Sequence, residues 1–575
     1  MAAETFEMRG ANNETTSSAH TNGSNNLATP VLSQKQPETS ATVSSAKSIT
    51  PSTVKTDKIG LWLCDEGPYQ EYIAKFAGSN PGLKSPDPAN KDWPLKTGNA
   101  TVCLLEASAS TTGPVEFTKT QFASLPKLRK HFEETDHKHD KHRVYIMEGL
   151  ATDYIAVIGG HFFMEPTFFQ RQERTCVWSN EFTPTSDALP HPSLLDPEKA
   201  FHLQYCELRQ FDADMSGQFY FCQRTGRHVG MTKARTSEKE KSTTAILRRK
   251  TSFWSRKTSG KGWDAVILVD PQLDALAKWP QGKPLPKNHA FQDGYNDFLP
   301  SVSKERVLSK DPHPHTSMLR DLSHYFENHS DLIPARKWAA PATASFFLKK
   351  IVAAHYLQLV DYIKVMLPSL ELRLTTAWVE EQDQWKSLQT ISRRCGNYRD
   401  DIEDTLLSLG YPVQDLPYPE TGPDVWLDDK VDFQYIYFRL KTLKQRTDTL
   451  IQAMTGLASI AGNRQNLEEA KVVKRLTLVA LLFIPLSFTS SLFSMQDGFA
   501  PGAAKFWIYW VTAIAAIALT FSATWVLNYA LDDAAQWTSQ PLDWLKFWDK
   551  NKRMSIRKQR RSHNGQNVRR TTGLW

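Results

Sequence analysis

The chain is poor in the features that mark secreted or catalytic proteins. Its 575 residues hold six cysteines (Cys64, Cys103, Cys176, Cys206, Cys222 and Cys395), and no two form a C-x-x-C pair. That excludes a closely spaced redox or zinc motif, and the thiols read as reduced and structural in a reducing compartment. Sequons, among them Asn22, Asn99 and Asn328, then go unused. No signal peptide opens the sequence, and Glu4 and Glu7 beside a single early Arg9 speak against an Arg-rich, acid-poor mitochondrial presequence. The chain shows no nucleotide-binding glycine loop, no G-x-S-x-G and no zinc spacing, so nothing beyond an α/β pattern points to an enzyme. A mean hydropathy of −0.45 fits a soluble protein, although an average of this kind hides two short apolar spans.

The net charge of +7 is locally placed. Lys550, Lys552, Arg553, Arg557, Lys558, Arg560, Arg561, Arg569 and Arg570 crowd the far end. A basic tail beside an apolar segment reads as cytoplasmic and facing anionic lipid. No recognised nucleic-acid motif accompanies it, so no nucleic-acid partner is expected.

Residues 1–57 are Ser, Thr, Asn and Ala with scattered Pro, too polar to bury a core, and read as disordered. Residues 58–332 read as an α/β domain. Ala100–Glu106, His142–Glu148 and Asp264–Pro271 are strand-like apolar runs. Tyr154–Arg171 reads as helix, a turn at Glu165-Pro166, then helix. Residues near 226–260 are basic and Ser/Thr-rich and read as a mobile insert, with R-R-K-T-S (Arg248–Ser252) offering Thr251 as a kinase site. Residues 341–475 read as long stalk helices, broken by the proline-rich link Pro412–Pro423. From near Asp432 no proline appears until Pro485, so one very long helix is expected to run onward into an apolar segment, although Gly456 and Gly462 weaken it.

Residues 476–528 read as a two-helix transmembrane region. Leu476–Phe493 and Phe506–Leu527 carry no charge, and about 20 residues at 1.5 Å rise cross a bilayer core. The linker Ser494–Lys505 is short, so the spans form a hairpin with both termini on one side. Lys471, Lys474 and Arg475 before the first span and the basic tail (529–575) after the second place that side in the cytoplasm. Trp507, Tyr509, Trp510 and Trp525 bracket the second span as an aromatic belt would, and Trp537–Trp548 reads as an interfacial helix. The competing reading is a buried helical hairpin in a soluble protein. Thr477, Ser487, Thr489, Ser490 and Ser491 are polar for a lipid-facing helix and fit helix contacts or a wet lumen. Val473, Leu476, Ala480, Ile484, Ser487 and Ser491 share one face with Ala470, apolar at the cytoplasmic end and polar at the outer end. Such a stripe either lines a gated pore in an oligomer or simply packs against another helix. The fold class expected is therefore an α+β membrane protein: a cytosolic α/β domain, a long helical stalk and a C-terminal two-helix transmembrane hairpin.

The stretch K-R-L-T-L-V-A-L-L-F-I-P-L-S-F-T-S-S-L-F-S-M-Q (Lys474–Gln496) resembles the first transmembrane segment of CorA-type magnesium channels, K-x-L-T-x-x-x-x-x-F-x-P-L-T-F-x-x-x-x-Y-G-M-N. Lys474, Leu476, Thr477, Phe483, Pro485, Leu486, Phe488 and Met495 match it, and Ser487 and Phe493 are close substitutes. Ile158–Arg171 is similar to a motif in the soluble domain of fungal CorA-like proteins. The resemblance implies a homopentamer that transports Mg²⁺ or another divalent cation, with no tightly bound cofactor. It implies a pore entrance at Ser494, Met495 and Gln496, a gate at Val473 and Leu476, a polar ring at Ser487, and Pro485 as the family's helix proline. It also implies divalent sensing by acidic residues of the soluble domain, for which Asp400, Asp401 and Asp404 are candidates. The plasma membrane is favoured over the mitochondrial inner membrane. Ser494 and Gln496 depart from the family's Gly and Asn, and Ala470 stands where a second Asn is common. These departures keep a second reading open, a non-conducting, membrane-anchored cytosolic regulatory protein that uses the hairpin to oligomerise. Ligand-type residues also cluster at His131–Arg143, where Asp136, His137, His139, Asp140 and His142 could bind a transition metal, although Lys138 and Lys141 favour a solvated loop.

Overall fold

A computed structural model of the chain describes residues 61–87, 94–109, 113–134, 140–174, 191–215, 219–232, 235–236, 241–277, 283–300, 313–371, 378–414, 425–494 and 504–532, with the single residues 92, 279 and 502. The segments expected to be disordered (1–57) and to form an interfacial helix (Trp537–Trp548) lie outside these residues, as does the tail beyond 532. The chain forms two compact units, residues 1–455 and 456–575.

The first unit is built on a mixed sheet. Its strands are β1 (Thr101–Ser108), β2 (Thr118–Phe122), β3 (Lys141–Glu148), β4 (Ala200–Phe211), β5 (Phe219–Cys222), β6 (His228–Met231), β7 (Arg235–Thr236), β8 (Lys241–Lys257), β9 (Trp263–Val269), β10 (Leu276–Ala277) and β11 (Asn288–Ala290). The main path runs β10-β5-β6-β8-β9-β3-β1-β2. Only the β3–β9 pairing is parallel among those described. All seven residues of β9 are buried, which is why it reads as an unbroken apolar run. The period-two alternation sorts side chains between two cores. Cys103, Leu105, Val144, Ile146, Ala265 and Ile267 enter one core, and Val102, Leu104, Tyr145, Met147, Val266 and Leu268 the other.

Helices α1 (Pro68–Phe76), α2 (Leu125–Glu134), α3 (Thr152–Phe162) and α4 (Pro166–Glu173) supply the second of those cores. Pro166 sits at the first position of α4, where a missing N–H costs nothing, so the turn at Glu165-Pro166 falls where the sequence places it. Gly159 lets α3 approach α1 closely, because a Cβ there would stand 2.4 Å from Tyr69 Cε1. The Tyr69 hydroxyl is meanwhile spent on the Met164 carbonyl at 2.8 Å.

The other core is covered by α5 (Met318–His329), α6 (Phe346–Glu371), α7 (Trp378–Ser408) and the start of α8 (Asp429–Phe493). Tyr356 of α6 donates to the Gln204 carbonyl of β4 at 2.9 Å, and Trp263 Nε1 donates to the Trp338 carbonyl at 2.6 Å. Lys349 and Lys350 of α6 pair with Asp429 and Asp432 in the first turn of α8 at 3.0 and 2.6 Å. The helices expected to stand apart as a stalk from residue 341 thus share one core with the sheet, as far as Met454.

The mobile insert expected near 226–260 is instead the spine of the sheet. β8 is 17 residues long. One edge pairs with β4 along its length, and the other pairs with β6 at Ala245–Leu247 and with β9 at Thr251–Lys257. Its basic residues fold inward because acids on other elements meet them. Arg249 Nε donates to Glu207 Oε2 at 2.8 Å, and Arg248 lies 3.8 Å from Asp401. Lys250 donates through its side chain to the Arg171 carbonyl and through its backbone N–H to Asp270 at 2.8 Å.

Candidate functional site: the apolar helix pair

The C-terminal part of α8 and α9 (Phe506–Asp532) are both long and apolar enough to cross a membrane, and their apolar windows are only 11% and 6% buried within the chain. A core helix of a soluble protein would be mostly buried, so the buried-hairpin reading loses its support. Helix α8 continues through Pro485 to Phe493 without a break. The buried face of this segment carries Pro485 and Thr489, and Ala513 is wholly buried on α9. Phe493 meets Tyr509 edge to face at 6.0 Å, and Tyr509 stacks with Phe506 at 5.7 Å. Small residues such as Ala513 let two helices approach without a hydrophobic drive from water.

The hydroxyl groups that make these helices look polar are partly satisfied by their own backbone. Thr477 donates to the Val473 carbonyl at 2.9 Å, and Thr489 reaches the Pro485 and Leu486 carbonyls at 3.0 Å each. Thr512 and Thr524 bond back to their own helix in the same way. A threonine arranged like this needs no polar environment.

The stripe picked out from the sequence lies elsewhere on the helix. Val473, Leu476 and Ile484 expose 60%, 71% and 67% of their surface. Ser487 and Ser491 are also exposed, and Ala480 is half-buried. At roughly 100° per residue, the stripe is centred about 155° around the helix from Pro485 and Thr489. The hairpin contact leaves it open, with an apolar end at Val473–Ile484 and a hydroxyl-bearing end at Ser487–Ser491. Ser494 closes the helix, its N–H on the Ser490 carbonyl and its Oγ donating to the Ser491 carbonyl, each at 3.0 Å. Among the described residues the non-glycines with positive φ are Phe163, Gln292 and Asp293, so Ser494 carries no left-handed strain. Met495 and Gln496 lie outside the described residues.

The remaining candidates are dispersed in the first unit. Asp401, on α7, faces Arg248, and burial lifts its carboxyl to about 6 against the pull of that guanidinium. Asp400 pairs with its neighbour Arg399 at 2.6 Å, and burial raises Asp404. The trio therefore divides between an internal ion pair and a charged helix face. Thr251 is fully buried in β8 and donates to the Leu268 carbonyl at 2.8 Å. That corrects its reading as a kinase site, since the hydroxyl is inside the sheet. His142 is a core residue of β3, stacked on Trp263 at 4.7 Å, with burial lowering it to about 4. Asp140 accepts the Lys261 N–H at 3.1 Å. These two are spent structurally, and Asp136, His137 and His139 lie outside the described residues.

A family model described as CorA-like Mg²⁺ transporter protein matches residues 340–528, from just before α6 into α9. No curated protein matches the chain. A solved structure of the CorA magnesium transporter from Methanocaldococcus jannaschii aligns with 73% of this chain and 96% of its own, at 10% identity and a TM-score of 0.34. The matched region holds α6, α7, the uninterrupted α8 with Pro485 inside it, and the apolar pair. Over residues 340–528, about a third of its length, the chain is similar to the CorA-like Mg²⁺ transporter family, whose members are transporters.

Proposed function

We propose that the chain assembles with copies of itself in a membrane and moves divalent cations, Mg²⁺ foremost, along a path lined by α8. The observation that carries this is the open stripe of Val473, Leu476, Ala480, Ile484, Ser487 and Ser491, set away from the hairpin contact. One helix cannot enclose a pore, so a lining role requires several copies, and a homopentamer is the arrangement that the family resemblance supports. Val473 and Leu476 form the apolar gate, which closes by excluding water. Ser487 and Ser491 form polar rings farther out, and Ser494, Met495 and Gln496 form the entrance. A ring of Gln496 amides would hold a hydrated ion through its waters, because magnesium dehydrates reluctantly. Both termini face the cytoplasm, the basic tail (529–575) lies on anionic lipid, and the plasma membrane is the favoured site. Asp401 enters as a structural charge, because it is turned to Arg248, and Asp400 and Asp404 on the charged helix face remain the candidates for divalent sensing.

Ser494 and Gln496 favour a second reading, in which the same helices only anchor and oligomerise a cytosolic regulatory protein. Flux separates the two. Purified protein in liposomes with a magnesium dye inside should take up Mg²⁺, and Leu476→Asp and Gln496→Ala should alter the rate. No uptake of Mg²⁺, Co²⁺ or Ni²⁺ by folded, oligomeric protein would leave the anchored regulator.

A further inference from the structure

We infer that His313, His315 and Asp321 form a transition-metal site in the first unit, of the Zn²⁺, Co²⁺ or Ni²⁺ class. One ligand atom from each of the three lies within 4.8 Å of the others. His313 Nε2 is 3.0 Å from Asp321 Oδ1, and His315 Nδ1 is 3.2 Å from Asp321 Oδ2.

The local sequence explains the convergence. His313 and His315 flank Pro314 in a short stretch without regular secondary structure just before α5, and a proline holds the residue before it away from helix. The run is pinned where Gln272 Nε2 donates to the Thr316 carbonyl at 2.8 Å. Ser317 then caps α5, its Oγ accepting the Arg320 N–H at 3.3 Å, which fixes Asp321 in the first helical turn. Asp321 is buried, and both histidines are half-buried.

The rings are seated by their neighbours. His313 stacks on His324 at 4.0 Å, and His315 lies on Tyr295 at 4.1 Å. The Tyr295 hydroxyl donates to Asp321 Oδ2 at 2.8 Å, the kind of outer contact that orients a ligating carboxylate. Gly294 has φ +124°, and a Cβ there would stand 2.4 Å from His315 Cδ2. It follows Gln292 and Asp293, which also have positive φ. Gln358 of α6 holds this loop by donating to the Phe291 and Gly294 carbonyls at 2.9 and 2.7 Å. Left-handed backbone is costly at Gln292 and Asp293, whereas Gly294 adopts its positive φ freely, and its missing Cβ leaves room for one imidazole.

Zinc bonds of about 2.0–2.2 Å put tetrahedral ligands about 3.3 Å apart, so each ring needs to move by under about 1 Å. Each must present a lone pair where it now faces Asp321, its proton passing to the other ring nitrogen or to solvent. Three protein ligands leave a fourth position open to water. Two imidazoles with one carboxylate suit borderline metals, whereas Mg²⁺ prefers an all-oxygen shell. The site would therefore tell trace metals apart from the cation that the family carries.

The test uses untagged full-length protein in detergent, titrated with Co²⁺ and followed by its visible absorption. One equivalent per chain should bind, be displaced by Zn²⁺ and resist millimolar Mg²⁺. His313→Ala with His315→Ala should weaken binding by about 100-fold or more, and Asp321→Asn should weaken it too. His137→Ala with His139→Ala, in the separate histidine-rich segment, should not. X-ray absorption at the zinc edge of the wild type, which needs no variant, should show two imidazoles with oxygen ligands. Wild-type affinity in the folded double variant would overturn the inference. So would the absence of Co²⁺ binding, or a zinc spectrum with fewer than two imidazoles.

Discussion

Replacing Glu207 by Gln removes one charge from the ion network between β4 and β8. Glu207 takes Arg209 Nη1 on one oxygen and Arg249 Nε on the other, both at 2.8 Å. Burial opposes its charge, but Arg249 and then Arg209 more than offset that and hold the carboxyl at about 2 instead of 4.5. A carboxyl held at about 2 instead of 4.5 contributes about 3 kcal/mol to the folded state at neutral pH. The sign follows from the direction. A carboxyl depressed on folding stabilises fully above its unfolded value and loses that contribution as pH falls toward its folded value. At pH 7 and pH 5, Glu207→Gln should therefore cost about 3 kcal/mol, and at pH 3.5 about 2 kcal/mol. For a compact unit of roughly 400 residues, 3 kcal/mol lowers Tm by about 4 °C. The assay is thermal unfolding of the full chain in detergent, read by tryptophan fluorescence across that pH range. A gap that is the same at every pH would refute the charge argument and leave only lost packing. No gap at pH 7 would refute the pairing itself.

Two further outcomes follow from the fold. A purified basophilic kinase should phosphorylate a peptide carrying Arg248–Ser252 but leave Thr251 of the folded chain unmodified, and Thr251→Val should cost about 1 kcal/mol through its lost bond to Leu268. Incorporation of phosphate at Thr251 without unfolding would contradict the buried strand. Gly159→Ala should lower Tm through overpacking worth about 1–3 kcal/mol, because Tyr69 must move and release Met164, and Tyr69→Phe alone should cost less.

Elements whose signals are local were legible in the sequence. β1, β3 and β9 read as apolar runs, Pro166 marked the start of α4, and the lack of proline before Pro485 foretold the continuity of α8. The pore-type stripe was legible as periodicity, whereas its separation from the α9 contact required knowing which face Pro485 occupies. β8 was not legible, because Arg248, Arg249 and Lys250 look solvated until Asp401, Glu207 and the Arg171 carbonyl are brought to them from distant positions. The H-P-H spacing before a capping serine was the one local hint of the His313 cluster. By itself it fits no zinc pattern, because Asp321, Tyr295 and Gly294 give it meaning only in three dimensions.

The parallel pairing of β3 with β9 sets a timetable for synthesis. β3 ends at Glu148 and its partner ends at Val269, about 120 residues later. At about 5–20 residues per second, the ribosome leaves the β3 edge open for roughly 6–24 seconds. During that interval Val144, Tyr145, Ile146 and Met147 form an unpaired apolar edge, the kind of surface on which nascent chains aggregate. The first unit cannot close co-translationally until β8 and β9 have both emerged, so its early life calls for a chaperone before any membrane is reached.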